Sequence, residues 1–250
     1  MTDSRPVVLA IQSDPTDPPL LYGDWLAEDG LHVDVVSAFD AAEIPAAVPD
    51  GVAGVMVLGG VMGATDDDVA PWLPDLRGLI ADAVAREVPM LGLCLGSQLL
   101  AVATGGRVER APVVEIGVVR VRRTAAGDDD PVLAAVGFAD EIATTQWHQD
   151  HVSVLPAGAV LLLTGATCRV QGFRVGATAY GFQSHPELDA VTFADWAAHP
   201  DETLMGSGRD PAAVSAEVVA AESDLRAAWR PVARAWAQLV HERAAAAPGR

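Results

Sequence analysis

The chain opens with apolar runs of strand length separated by segments of helical spacing. Val7-Val8-Leu9-Ala10-Ile11 is continuously apolar, and Asp14 to Pro19 behind it is rich in turn formers. The spacing predicts a helix over Leu20 to Glu28, stopped at Gly30, then a strand over His32 to Ser37. Val55-Met56-Val57-Leu58 reads as a third strand, ending at Gly59-Gly60. Pro71 to Arg86 reads as a helix with Leu73, Leu76, Ile80, Ala83 and Val84 on one face, and it leads into a fourth strand, Pro89 to Leu93. Strands without polar alternation, joined through helices, are covered on both faces. The first half therefore predicts an α/β fold, a parallel sheet wound on both sides by helices.

The pattern changes after Gly105-Gly106, where the next helix should stop. Val113 to Val121, Glu141 to Gln146, Val160 to Thr164, Cys168 to Val175 and Thr178 to Phe182 read as strands linked by short turns, an antiparallel extension of the sheet. The last sixty residues return to helical spacing, with Pro211 to Arg243 the longest such segment. Trp229 and Trp236, seven apart, fall on its core-facing side. No internal repeat and no linker rich in Gly, Pro and Ser divides the chain. The expectation is one domain over residues 1–250, with a core of about 7–196 and a helical extension of about 197–250.

Composition narrows the function. The formal charge of −18 repels phosphate backbones and anionic lipid, so neither nucleic acid nor a membrane is an expected partner. No apolar run approaches the roughly 18 residues that span a bilayer, and no signal-peptide pattern follows Met1. With only Cys94 and Cys168 as thiols, a reducing, cytoplasmic setting is expected. All 16 basic residues are arginine. Without lysine there is neither a Walker-type phosphate loop nor a pyridoxal-phosphate Schiff base. The acidic runs Asp66-Asp67-Asp68 and Asp128-Asp129-Asp130 read as solvated turns, since neighbouring aspartates diverge too far to share a metal.

The candidate chemistry centres on Gly92-Leu93-Cys94-Leu95-Gly96, where a strand runs straight into a helix. A side chain at such a turn is pushed out of the sheet plane. The flanking glycines allow the sharp turn and the approach of substrate. The helix N-terminus favours thiolate, lowering a cysteine from its free pKa of about 8.5. A lone cysteine elsewhere is usually a buried small hydrophobe, which is the reading for Cys168. A thiol nucleophile needs a base and the base an orienting group. Ser184-His185-Pro186-Glu187 follows the last predicted strand, and Pro186 keeps the segment extended, so His185 and Glu187 point the same way. Taken alone that segment could be a surface loop. Ligands of open α/β sheets, however, bind beyond the carboxyl ends of the strands. Gly60, at another strand end, and Leu95, after the nucleophile, can offer backbone N–H groups to a developing oxyanion. The rival reading of Gly59 to Gly63, a phosphate cradle, is weakened by the missing lysine and the acidic run beyond it.

Together the Gly-Leu-Cys-Leu-Gly elbow, the upstream Gly-Gly loop and the His-Pro-Glu segment resemble the class I, triad-type glutamine amidotransferases. The resemblance runs from about Val7 to about Trp196 and is closest to stand-alone relatives of the glutaminase domain of GMP synthase. It implies a flavodoxin-like, doubly wound, mostly parallel sheet, with Cys94 as nucleophile, His185 as base and acid, and Glu187 as its orienting partner. Gly60 and Leu95 would form the oxyanion hole, and Gln98 would help hold the glutamine. Trp147, His148, Gln149 and Asp150 stand where the family binds the amino-acid end of its substrate, often through main-chain groups. The sequence departs from the family at Val61, where proline usually follows the double glycine. His148 and His151 invite a metal, but a histidine pair with no third ligand reads as structural, and no metal or cofactor is expected. The implied substrate is glutamine or another γ-glutamyl compound. Its nitrogen would leave as ammonia for a separate synthetase subunit, or as an amine from a self-sufficient γ-glutamyl hydrolase or peptidase. A binding or regulatory module without catalysis is the third possibility.

Overall fold

The computed structural model describes residues 4–40, 43–136 and 141–246. The first half runs β1 (Val7–Gln12), α1 (Leu20–Glu28), β2 (His32–Ser37), β3 (Val52–Val57), α2 (Leu73–Ala85), β4 (Met90–Leu93) and α3 (Leu95–Ala103). The second runs β5 (Arg107–Arg123), a short α4 (Ala125–Asp128), β6 (Ile142–Val154), β7 (Val160–Thr164), β8 (Gly172–Val175) and β9 (Ala179–Phe182). It closes with α5 (Ala190–Ala198), α6 (Glu202–Ser207) and α7 (Pro211–Ala246).

Among the described residues the strands form one sheet in the order β2-β1-β3-β4-β9-β8-β7-β5-β6. The half from β2 to β9 is parallel, and the remainder is antiparallel. Successive residues of the parallel strands enter opposite cores, which is why these strands show no polar alternation. Val8 and Ala10 pack with α1 and α7, while Leu9 and Ile11 pack with α2 and α3. On the α7 side Trp229 and Trp236 are fully buried, as expected for core-facing anchors. Trp229 donates its indole N–H to the Ala143 carbonyl at 2.9 Å, and Arg230 forks onto Asp29 after α1 at 2.6 and 2.9 Å. The C-terminal helix is thus built into the main core. Removing either indole leaves a large cavity, and such losses typically cost about 3–5 kcal/mol.

Several boundaries differ from expectation. β5 and β6 are far longer than the predicted strands, because polar residues outside the apolar runs pair across the hairpin, Glu109 with His151 and Arg110 with Asp150. Cys168 lies in the loop before β8 and not on a strand, although it is buried as expected. Asp130 is no solvated turn residue. It is 2% exposed, accepts from the Val132 and Leu133 amides at 3.0 and 3.2 Å, and pairs with Arg174 at 2.9 Å.

Candidate active site

β4 enters α3 through Cys94, whose φ of +46° and ψ of −106° lie where a side chain other than glycine is strained. Strain of this kind persists only when the surroundings over-determine it. Here the Cys94 N–H donates to the Phe182 carbonyl of β9 at 2.8 Å. The flanking glycines serve the packing of the turn: a Cβ on Gly96 would run into the Val57 carbonyl, and one on Gly92 into the Gly96 backbone. Their role is close backbone approach between β3, β4 and α3, and not access for substrate as the sequence implied. The thiol, in a residue 6% exposed, faces the pocket, with Sγ 3.9 Å from the Trp147 carbonyl and 3.8 Å from the Gln183 amide nitrogen.

His185 and Glu187 arrive from the loop after β9. The His185 N–H donates to Thr145 on β6 at 2.8 Å, and the Glu187 carbonyl accepts from the Leu21 N–H at 3.1 Å, so both ends of the segment are fixed. The extended backbone set by Pro186 brings the side chains together as the spacing predicts, with His185 Nδ1 2.6 Å from Glu187 Oε1. The imidazole also interacts with the Cys94 sulfur. Burial pulls the imidazole pKa down, but the Cys94 sulfur and the Glu187 carboxylate outweigh it and hold it well above its usual value. Trp196 closes the arrangement with an edge contact to the imidazole, 5.2 Å between ring centres.

Asp17 was not visible as a site residue. It lies in the loop after β1, 2% exposed, with Oδ2 3.9 Å from His185 Nδ1. Neither carboxyl oxygen has a well-formed hydrogen bond; the Gly59 N–H engages it only weakly. Burial and the neighbouring Glu187 push its pKa up to about 8, against the pull of His185. Gly59 is required by this crowding, since a Cβ there would meet Asp17 and come within 2.6 Å of the His185 ring. The clue in the sequence was position: the Asp14 to Asp17 loop follows a parallel strand and so lies at the ligand-bearing edge.

The pocket in front of Cys94 has a volume of about 550 Å³. Gly60 and Leu95 line it, packed so closely that a Cβ on Gly60 would lie 3.0 Å from the Leu95 side chain. Gln98, Trp147, His148, Gln149 and Asp150 line it too. Gln98 donates to the Asp150 carbonyl at 3.0 Å and so fixes that strand segment. Trp147 donates to Asp201 at 3.0 Å. The His148 ring is committed inward, to Glu115 at 3.0 Å and the Asp150 carbonyl at 2.9 Å, which leaves its main chain as the part able to meet a substrate.

The family model for glutamine amidotransferase class-I matches residues 24–195, more than half of the chain. The chain belongs to the class I glutamine amidotransferases. A glutamine amidotransferase of Thermotoga maritima has a similar solved structure, with a TM-score of 0.81 and 28% identity over 94% of this chain and 97% of that one. That of Methylobacillus flagellatus gives 0.76 and 33% over 99% and 97%. Among curated relatives, a subunit of the glutamine-hydrolysing GMP synthase of Saccharolobus solfataricus is 38% identical over 103 residues, 41% of this chain and 52% of that protein. The corresponding subunit of Methanoculleus marisnigri is 31% identical over 145 residues, 58% of this chain and 70% of its own. The chain spans about half the length of the first of these.

Among the described residues two buried trios bring donors of metal-binding type within 4.8 Å of one another, Asp17 with His185 and Glu187, and Glu115 with His148 and Cys168. In both, the histidine and the glutamate are already bonded to each other, although both Asp17 oxygens in the first trio lack a partner. Glu187 holds His185, and Glu115 holds His148 together with the Gln171 amide at 2.7 Å. That pattern suits paired side chains better than an ion.

Proposed function

We propose that the chain hydrolyses the side-chain amide of glutamine or a related γ-glutamyl compound through a thioester on Cys94. The observation that carries this reading is the placement of His185 between the Cys94 thiol and the Glu187 carboxylate, at a strained elbow on the ligand-bearing edge of the sheet. Cys94 Sγ forms a bond to the amide carbon, and the thiol proton passes to His185. The resulting oxyanion is held by the Gly60 and Leu95 amides, and one such donor is typically worth about 2.7–4 kcal/mol. His185 gives its proton to the departing nitrogen as the C–N bond breaks. Water then adds to the thioester, losing its proton to His185. The C–S bond breaks, glutamate leaves and the proton returns to sulfur. Gln98 and the strand segment Trp147 to Asp150 position the amino-acid end. The mechanism calls on no cofactor.

A second reading concerns the fate of the nitrogen. The curated relatives, which are named as subunits of GMP synthase, support a version in which ammonia passes to a separate synthetase. The test for the main reading is release of glutamate from glutamine and from γ-glutamyl amides by the purified chain, beside Cys94→Ala. Turnover surviving that substitution sinks the mechanism. Glutamine turnover that stays near zero until a synthetase is added selects the second reading.

A further inference from the structure

Outside the Cys94–His185–Glu187 cluster the charged side chains on the pocket wall are mostly acidic. Asp14, Asp17, Asp150, Asp195, Asp201 and Glu202 all line it, and among the described residues no arginine does. Three of these carboxyl groups have a basic neighbour: Asp150 faces Arg110 at 3.6 Å, Asp195 faces His199 at 3.7 Å, and Asp17 lies 3.9 Å from His185. Asp201 accepts from the Trp147 indole and the Leu204 amide, and Asp14 from the Thr16 amide and hydroxyl, neutral donors that leave their charges uncancelled. Asp17 is the independent observation. It is a buried carboxyl on the same wall whose oxygens lack a well-formed hydrogen bond within the protein, so it offers a ligand a polar partner, while the charge on the wall comes from Asp14, Asp201 and Glu202.

The wall also carries apolar surface. Val61, standing where the family usually has proline, is 75% exposed, and Met62 and the Trp147 and Trp196 rings line the same space. A volume of about 550 Å³ lies in the range that holds ligands well beyond a single amino acid. An anionic leaving group would meet uncompensated carboxylates here, and a simple amide would leave most of the wall unused. A chain of methylenes ending in an ammonium fits both features, by apolar and cation–π contact along its length and ion pairing at its end.

We propose that the leaving group this pocket selects is a cationic alkylamine, so that the substrate is a γ-glutamyl conjugate of a diamine or polyamine. The inference rests on the Cys94 thioester reading and names its substrate class. The bond balance is unchanged: Sγ–C forms, C–N breaks, and the released nitrogen takes its proton from His185 and departs as a free diamine.

The test compares kcat/KM of the full chain on glutamine and on three γ-glutamyl amides of matched length, made from a straight-chain diamine, the corresponding monoamine and the corresponding ω-amino acid. The expected order places the diamine conjugate about tenfold or more above the monoamine conjugate, the scale of one weakly screened charge pair, with the ω-amino acid conjugate lowest. Raising the salt concentration narrows the gap. In the Glu202→Gln and Asp14→Asn variants the diamine-to-monoamine ratio falls towards one. Equal or better turnover of the monoamine or ω-amino acid conjugates overturns the substrate class while leaving the thioester chemistry standing. No turnover of any of the four compounds overturns the substrate class, and it overturns the thioester reading too when an added synthetase fails to restore glutamine hydrolysis.

Discussion

The molecule holds two buried Cys, His and Glu constellations, and their difference lies in order. At the elbow the imidazole of His185 stands between the Cys94 sulfur and Glu187, so a proton leaving sulfur meets a base whose positive form the carboxylate stabilises. Behind the strand segment that lines the pocket, Glu115 stands between His148 and Cys168. There burial and the facing carboxylate push the Cys168 thiol up to about 12, and the His148 ring is turned to Glu115. Glu115 itself is held below its usual range, because hydrogen bonds and the charge of His148 outweigh burial. The first arrangement can do chemistry, whereas the second locks β6 to the loop before β8. Identical residue types thus give a thiol–imidazole–carboxylate chain in one place and a strut in the other, and the side chain in the middle decides which.

The largest effect should separate the two thiols. Cys94→Ala is expected to lower glutamate release at least about a thousandfold, while Cys168→Ala keeps most of it. Loss of activity in Cys168→Ala with normal folding would break the comparison. Next come the carboxylates. Glu187→Gln should cut kcat by about a hundredfold or more with little change in melting temperature, since it disturbs the imidazole's tautomer and charge. Glu115→Ala should instead destabilise by about 3–5 kcal/mol, the usual result of removing one partner of a buried pair, measured by denaturant unfolding. The sign in acid follows from its depressed pKa: Glu115 stabilises above its unfolded value, and that contribution fades as pH falls through the folded one.

A smaller effect concerns reactivity. At about neutral pH an alkylating reagent should label Cys94 and leave Cys168 untouched until the chain unfolds, as peptide mapping by mass spectrometry would read directly. The smallest and most diagnostic effect is at Asp17. A buried acid raised from 3.8 to about 8 keeps its proton when folded and loses it when unfolded across that window, so it makes stability fall as pH rises between those values. Asp17→Asn should remove that slope, with the variant's melting temperature gaining on wild type up to about pH 8 and no further. A difference independent of pH would mean that Asp17 carries its charge when folded.

The strands of the parallel half, the elbow at Cys94 and the His185–Glu187 neighbourhood were legible because each is local. An unbroken apolar run, two glycines at fixed offsets and a proline between His and Glu constrain the backbone within a few residues. The long β5–β6 hairpin was not legible, because its polar ends are held by partners across the strands, Arg110 by Asp150 and Glu109 by His151. Asp130 looked like a turn residue until Arg174, 44 positions away, was found beside it. The side chain of His148 resembled a substrate ligand until Glu115, on another strand, claimed its ring.

By itself the sequence determined the parallel architecture, the strained turn at Cys94 and the pairing of His185 with Glu187, since local spacing governs all three. Only the tertiary structure decided that Asp17 lies behind His185, that Cys168 faces a carboxylate instead of an imidazole, and that the acidic residues of separate loops share one wall. Those facts depend on which distant segments meet. Burial then turns each meeting into a change of charge state or reactivity that no local pattern encodes.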